Sequence, residues 1–260
     1  MMTLAISEVT KRYGGLLAVS AISFEAMPGQ ITSVIGPNGA GKTTLLNLVS
    51  GTVMPDSGFV RLFDTDVTHA EPHMRAHKGL ARTYQTPQLF EDMTVLDTVK
   101  VGAHQTGACS FLSAMFRTPS VRREEVDMDT RAREALDRVG LPSALFERTA
   151  LDLAYGLQRR VEIARALAMH PKALLLDEPA AGLNARETEE ISVLFQTLAN
   201  EGLIVVLVEH DMSMVMSVSD KVVVMNFGTK IAEGSTAEVQ ANPAVIDAYL
   251  GTPELDALHA

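Results

Sequence analysis

Ile31-Thr32-Ser33-Val34-Ile35-Gly36-Pro37-Asn38-Gly39-Ala40-Gly41-Lys42-Thr43-Thr44 is the stretch around which the chain is organised. Its first residues form a short apolar run that reads as a buried strand. Positions 36–43 fit the spacing G-x-x-x-x-G-K-[ST], and Leu45, Leu46, Leu48 and Val49 then open a helical pattern. Strand, glycine loop and helix are the context this motif requires. Glycines let the backbone bend round a phosphate and turn its N–H groups inward, and the helix N-terminus adds partial positive charge. Residues Gly36 to Thr44 are therefore expected to cradle a nucleotide. Lys42 would reach its β- and γ-phosphates, and the Thr43 hydroxyl would ligate Mg²⁺. The plainer alternative, a glycine-rich turn, leaves the register of the motif and both its flanks unexplained.

Working outward, strand-like pieces at Leu4–Val9 and Ala21–Glu25 precede the loop, separated by Gly14-Gly15 and Pro28-Gly29 turns. Tyr13 either stacks on the base of the nucleotide or simply ends a strand. Beyond the loop, Gly51 closes the helix and residues 59–63 read as another strand, followed by a short one over 80–85. Helical spacing begins at Met93. Residues 105–120 read as a long loop, and Ala132, Ala135, Leu136 and Val139 mark an amphipathic helix over 120–139. Residues 87–150 thus read as a helical insertion in an otherwise alternating α/β chain.

A helix starting near Gly156, with Val161, Ala164, Leu167 and Ala168 as its core stripe, leads to the apolar strand 173–176 and then Asp177-Glu178-Pro179. Carboxylates at the carboxyl end of a buried parallel strand stand where such sheets collect ligand chemistry. Asp177 would hold Mg²⁺, and Glu178 would polarise an attacking water. A second apolar strand, 203–208, ends in Glu209-His210-Asp211; His210 either contacts the γ-phosphate or is a strand-end histidine. Strands over 221–226 and 230–233 and helical pieces at 236–241 and 243–250 complete the chain.

Composition narrows the function classes. The chain has 260 residues and a formal net charge of −10, with no Lys/Arg-rich stripe, which argues against a nucleic-acid partner. Its single cysteine, Cys109, forms no internal disulfide and suits a reducing compartment. No apolar run reaches the ~20 residues of a membrane-spanning helix, and the first residues do not read as a secretory leader.

Taken in order, the phosphate loop at 36–43, Gln85, the stretch 153–158, Asp177-Glu178 and His210 resemble the landmarks of the ATP-binding subunits of ABC transporters. The resemblance spans residues 3–251. Arg82-Thr83-Tyr84-Gln85, residues 89–96, Leu153-Ala154-Tyr155-Gly156, Ala180-Ala181-Gly182-Leu183-Asn184, Ala232-Glu233-Gly234-Ser235 and residues 242–251 look like the branched-chain amino-acid uptake group.

That resemblance implies an α/β P-loop NTPase fold: a RecA-like parallel-sheet core, an N-terminal antiparallel β-subdomain and an inserted α-helical subdomain. The single domain 1–260 would divide into core and β-subdomain (1–86 and 151–260) and helical subdomain (87–150). It implies ATP and Mg²⁺, with Gln85 contacting the metal at the hinge and His210 sensing the γ-phosphate. Ala154, Tyr155, Gly156 and Gln158 would cap the nucleotide of a second, head-to-tail subunit. Two features depart from the commonest pattern: Ala154 stands where a serine hydroxyl is usual, and Asn184 where many relatives have aspartate.

The implied setting is the inner face of the cell membrane. The chain would grip integral permease subunits through residues near 85–117, with Leu89, Phe90, Met93, Phe111 and Phe116 either meeting a membrane helix or packing the subdomain. An extracytoplasmic solute-binding protein would serve indirectly. Branched-chain amino acids are the first expectation for cargo, with amides, urea or small aromatic acids open. The rival is a soluble ABC-type ATPase acting on DNA, ribosomes or an assembly process, for which no second cassette, coiled-coil insertion or basic extension is visible; a non-hydrolysing regulator is opposed by Glu178.

Overall fold

The computed structural model describes residues 3–104 and 119–250. Two sheets organise them. One has the order β10-β9-β3-β8-β7-β6, built from β3 (Ile31–Ile35), β6 (Leu80–Arg82), β7 (Ala173–Asp177), β8 (Ile204–Val208), β9 (Lys221–Asn226) and β10 (Thr229–Gly234). All its pairings are parallel except the β9/β10 hairpin. β3, which leads into the phosphate loop, lies between β8 and β9, with Ile31 opposite Val205 and Thr32 opposite Lys221.

The strands β3, β7 and β8 are buried at every position because both faces of the sheet are covered. Leu174, Leu176, Val205 and Leu207 join a core beneath the helices, while Leu175, Val206 and Val208 join the core on the opposite face. Alternate side chains of one continuous apolar run thereby serve two cores.

The second sheet is antiparallel, with the order β2-β1-β4-β5 over β1 (Leu4–Tyr13), β2 (Leu16–Ala26), β4 (Ser57–Leu62) and β5 (Thr65–Asp66). β1 and β2 run longer than their hydrophobic alternation predicts. Register shifts between Ile6 and Val9 and between Val9 and Lys11, with left-handed backbone at Glu8 and Ala21, move side chains from one face to the other and erase the period.

The loop helix α1 (Lys42–Ser50) ends at Gly51, whose φ of 81° allows its N–H to reach the Leu48 carbonyl. Arg75 of α2 (Pro72–His77), fully buried, donates to the Leu48 and Val49 carbonyls at 2.7 Å each and to those of Thr68 and Ala70 at 2.9 Å. Burial lowers its pKa to about 10, so it stays charged at neutral pH, a cation held at a helix C-terminus.

Helices α3 (Val95–His104), α4 (Pro119–Arg138) and α5 (Tyr155–Leu167) pack on one another. The stripe Ala132, Ala135, Leu136 and Val139 is buried there, as expected. Pro119 belongs to α4 and not to a loop; Cys109, Phe111 and Phe116 lie outside the described residues. The strand expected over 80–85 stops at Arg82, because Tyr84 donates its N–H to the Glu162 carboxylate on α5 at 2.9 Å, leaving the sheet for the helices. The remaining helices are α6 (Ala185–Asn200), α7 (Met212–Val218), α8 (Thr236–Gln240) and α9 (Pro243–Leu250).

Candidate functional site

The loop is shaped by close backbone approaches. A Cβ on Gly36 (φ 153°) would lie 2.0 Å from the Met225 carbonyl oxygen, and one on Gly41 (φ 99°) would lie 2.3 Å from that of Ala18. Only glycine lets the loop sit between β2 and β9. The Gly228 N–H fastens it from outside by donating to the Ala40 carbonyl at 3.0 Å. Lys42 folds across its own loop, its Nζ donating to the Gly36 and Pro37 carbonyls at 2.5 and 3.1 Å. Beside it opens a cleft of about 370 Å³ lined by Tyr13, Asn38, Gly39, Ala40, Gly41, Lys42, Thr43, Thr44 and Glu178, and also by Leu16 and Phe227.

At the end of β7, the nearly buried Asp177 pairs with Arg82 at 2.9 Å. Arg82 also donates to Asn47 Oδ1 at 2.7 Å and to Ser50 Oγ at 2.8 Å, joining the carboxylate to α1. Burial pushes the Asp177 carboxyl above its usual range, against the pull of Arg82. Glu178 adopts φ 45°, a left-handed conformation that is strained for a side-chain-bearing residue. Its Oε2 accepts from Gln85 Nε2 at 2.7 Å and lies 3.5 Å from His210 Nδ1. The fold thus brings Gln85 and His210, which lie far apart in sequence on either side of Glu178, onto one oxygen of its carboxylate at the rim of the loop cleft.

Ala154, Tyr155, Gly156 and Gln158 do not line that cleft. Gln158 folds back to donate to the carbonyls of Leu151 and Leu153, both at 2.9 Å. Ala154, the N-cap of α5, supplies no side-chain acceptor to the first-turn N–H groups. Asn184, by contrast, builds a full capping box with Glu187 at the start of α6.

Two buried side chains that the sequence reading passed over hold this arrangement. Arg159 on α5 donates to the Tyr84 carbonyl at 2.6 Å, to Glu162 at 2.8 Å, to the Gln85 carbonyl and, at 3.5 Å, to the Glu178 carbonyl. Glu209 accepts from the N–H groups of Ala180, His210 and Asp211 at 2.8, 3.0 and 3.4 Å, joining the turn after Glu178 to the histidine. Burial raises the carboxyl pKa of both Glu162 and Glu209. An Arg–Glu pair at i,i+3 reads in a sequence as a solvated helix face, and no local signal marks it as buried.

Among the described residues no group of three or more His, Cys, Asp or Glu is placed to hold a metal by itself. Asp177, the Thr43 hydroxyl and the Gln85 amide oxygen are nevertheless hard oxygen donors beside the phosphate loop. They suit Mg²⁺, which takes one or two carboxylates and completes its shell with water and substrate phosphates.

Known proteins share this architecture. Residues 19–181 match the ABC transporter family, and residues 229–254 match the family described as branched-chain amino acid ATP-binding cassette transporter. The chain is 43% identical over 249 residues, covering 95% of it and 97% of the relative, to the high-affinity branched-chain amino acid transport ATP-binding protein BraF of Pseudomonas aeruginosa. Identity and coverage are the same for LivG of Escherichia coli strain K12. Among solved structures, a nucleotide-free ATP-binding cassette from an ABC transporter superposes with a TM-score of 0.84 at 33% identity, covering 97% of this chain and 100% of that one. The ADP conformation of the cassette MJ1267 gives 0.84 at 34% identity with the same coverage. A P-loop NTPase core carrying an antiparallel β-sheet, matched along nearly its whole length, places the chain in the ABC transporter ATP-binding family, within its branched-chain amino-acid group.

Proposed function

We propose that this chain is the ATP-hydrolysing subunit of an importer for branched-chain amino acids or a related small solute. It would sit peripherally on the cytoplasmic face of the membrane, bound to integral permease subunits that an extracytoplasmic solute-binding protein supplies. The convergence of Gln85 and His210 on Glu178 beside the phosphate loop carries the reading. No helix of the described residues is long and apolar enough to cross a membrane.

In this reading Gly36, Pro37, Asn38, Gly39, Ala40, Gly41, Lys42, Thr43 and Thr44 hold the phosphates of ATP, Lys42 turning from its loop carbonyls to the γ-phosphate. Tyr13 stacks on the base. Glu178 orients the attacking water and takes its proton, while His210 bonds the γ-phosphate and Gln85 reports its presence to the 87–150 segment. When bound by Thr43, Asp177 and Gln85, Mg²⁺ would neutralise charge developing on the phosphates.

The uncapped N-terminus of α5, with Ala154, Tyr155, Gly156 and Gln158, serves the nucleotide of a second ATP-binding subunit, identical or distinct. We divide the chain accordingly into a core with β-subdomain, 1–86 and 151–260, and a helical subdomain, 87–150. Arg159, within the core, ties Gln85, next to the start of the helical part, to Glu178. Closure on ATP and reopening on ADP then move the helical parts together with the permease they grip.

The test is to tag the chain in its own cells, solubilise the membranes gently and identify what co-purifies. Integral membrane proteins with a related ATPase are expected; recovery only with ribosomes or DNA would overturn the transporter reading.

A further inference from the structure

The β9/β10 hairpin turns through two residues, Phe227 and Gly228, with φ 45° and 78°. Positive φ at both positions is the type I′ turn, in which Asn-Gly or Gly-Gly is favoured and a phenylalanine is strained. Phe227 is also 86% exposed, the most exposed large apolar side chain among the described residues. Strain and lost burial both argue against phenylalanine as a purely structural choice here. The hairpin tip is not loosely placed: the Gly228 N–H donates to Ala40 of the phosphate loop at 3.0 Å, and the Gly228 carbonyl accepts from Ser20 at 2.7 Å. Phe227 lines the same cleft as Tyr13, Leu16 and the loop. Lys11 Nζ lies 5.7 Å from the centroid of the Tyr13 ring, so one face of that ring already carries a cation.

We propose that Phe227 is a base-contacting residue, an apolar wall that meets the purine of the bound nucleotide across the cleft from Tyr13. The inference rests on the nucleotide-binding reading above. An aromatic ring fastened to the loop that holds the phosphates keeps base and phosphate contacts in fixed register. It also holds the backbone that carries the ring in place, so that only the side chain needs ordering on binding.

Three full-length proteins distinguish this role from a structural one: wild type, Phe227→Asn and Phe227→Tyr. Each is titrated calorimetrically with ADP and with inorganic pyrophosphate, and its urea stability is measured. Asparagine suits the turn better than phenylalanine, so Phe227→Asn is expected to be as stable as wild type or more so, yet to bind ADP about three- to tenfold more weakly, with pyrophosphate unchanged. Phe227→Tyr keeps the ring and should bind as wild type does. Unchanged ADP affinity in Phe227→Asn, or an equal loss for pyrophosphate, overturns the proposal while leaving nucleotide binding intact. A wild-type protein that binds pyrophosphate and ADP equally well would overturn base contact altogether, and one that binds neither would remove the nucleotide-binding reading itself.

Discussion

The phosphate loop and the α5 N-terminus are both glycine-containing helix starts without a side-chain cap, yet the chain treats them differently. The loop is enclosed by its own molecule: Met225 and Ala18 press on Gly36 and Gly41, Gly228 fastens Ala40, and Tyr13 and Glu178 wall its cleft. The α5 start has no such enclosure. The nearest neighbour to a Cβ on Gly156 would be the end of a side chain, Glu187 Oε1 at 2.4 Å, rather than backbone. Its N-cap Ala154 offers the first-turn N–H groups no side-chain acceptor, whereas α6, α7 and α8 each have one in Asn184, Asp211 and Ser235. We read the first as the nucleotide cradle of this chain and the second as its contribution to a site shared with another subunit.

The hardest test of this division is catalytic. Glu178→Gln keeps the loop and its cleft but removes the base, so turnover is expected to fall about 10²–10⁴-fold with ATP affinity preserved in equilibrium binding. Unchanged turnover would take Glu178 out of the chemistry.

Paired glycine substitutions come next. Gly41→Ala must move the Ala18 backbone at positive φ and should lose about 1–3 kcal/mol of stability together with nucleotide affinity. Gly156→Ala meets the carboxylate end of Glu187, which can move at the cost of its capping bond to the Asn184 N–H, so the isolated chain should bind ADP normally and lose ATP-driven dimerisation, read by light scattering. Equal ADP losses for the two would erase the contrast.

Ala154→Ser supplies the missing hydroxyl and should tighten that dimer by about 0.5–1.5 kcal/mol.

The smallest effect concerns pH. Burial raises the folded pKa of Glu209 above its unfolded value, so its contribution is most favourable at low pH and is lost as pH rises through the folded pKa. His210 Nδ1 lies 3.8 Å from Glu209, so the comparison belongs in a His210→Ala background. There, the protein with Glu209 should gain urea stability relative to Glu209→Gln as pH falls from 7 towards 5.

What could be read in advance follows from range. The loop, the strands over 173–177 and 204–208 and the Ala132–Val139 stripe are short-range patterns, and the fold class follows from their alternation. The β1/β2 boundaries were hidden because bulges break period two, and the end of β6 because a side chain from α5 captures Tyr84. Arg75, Arg159 and Glu209 look like surface charges in sequence; only folding surrounds them with the backbone groups they bond.

The sequence by itself determined the strand–glycine–helix unit, the carboxylates after β7 and the order of landmarks, because each depends on neighbours within a few residues. Only the tertiary structure decided that Gln85, Glu178 and His210 meet at one oxygen, that Arg82 sits on Asp177, and that Phe227 lines the cleft of the loop. Those contacts join elements far apart along the chain, and parallel strand pairing through crossover connections is what brings them together.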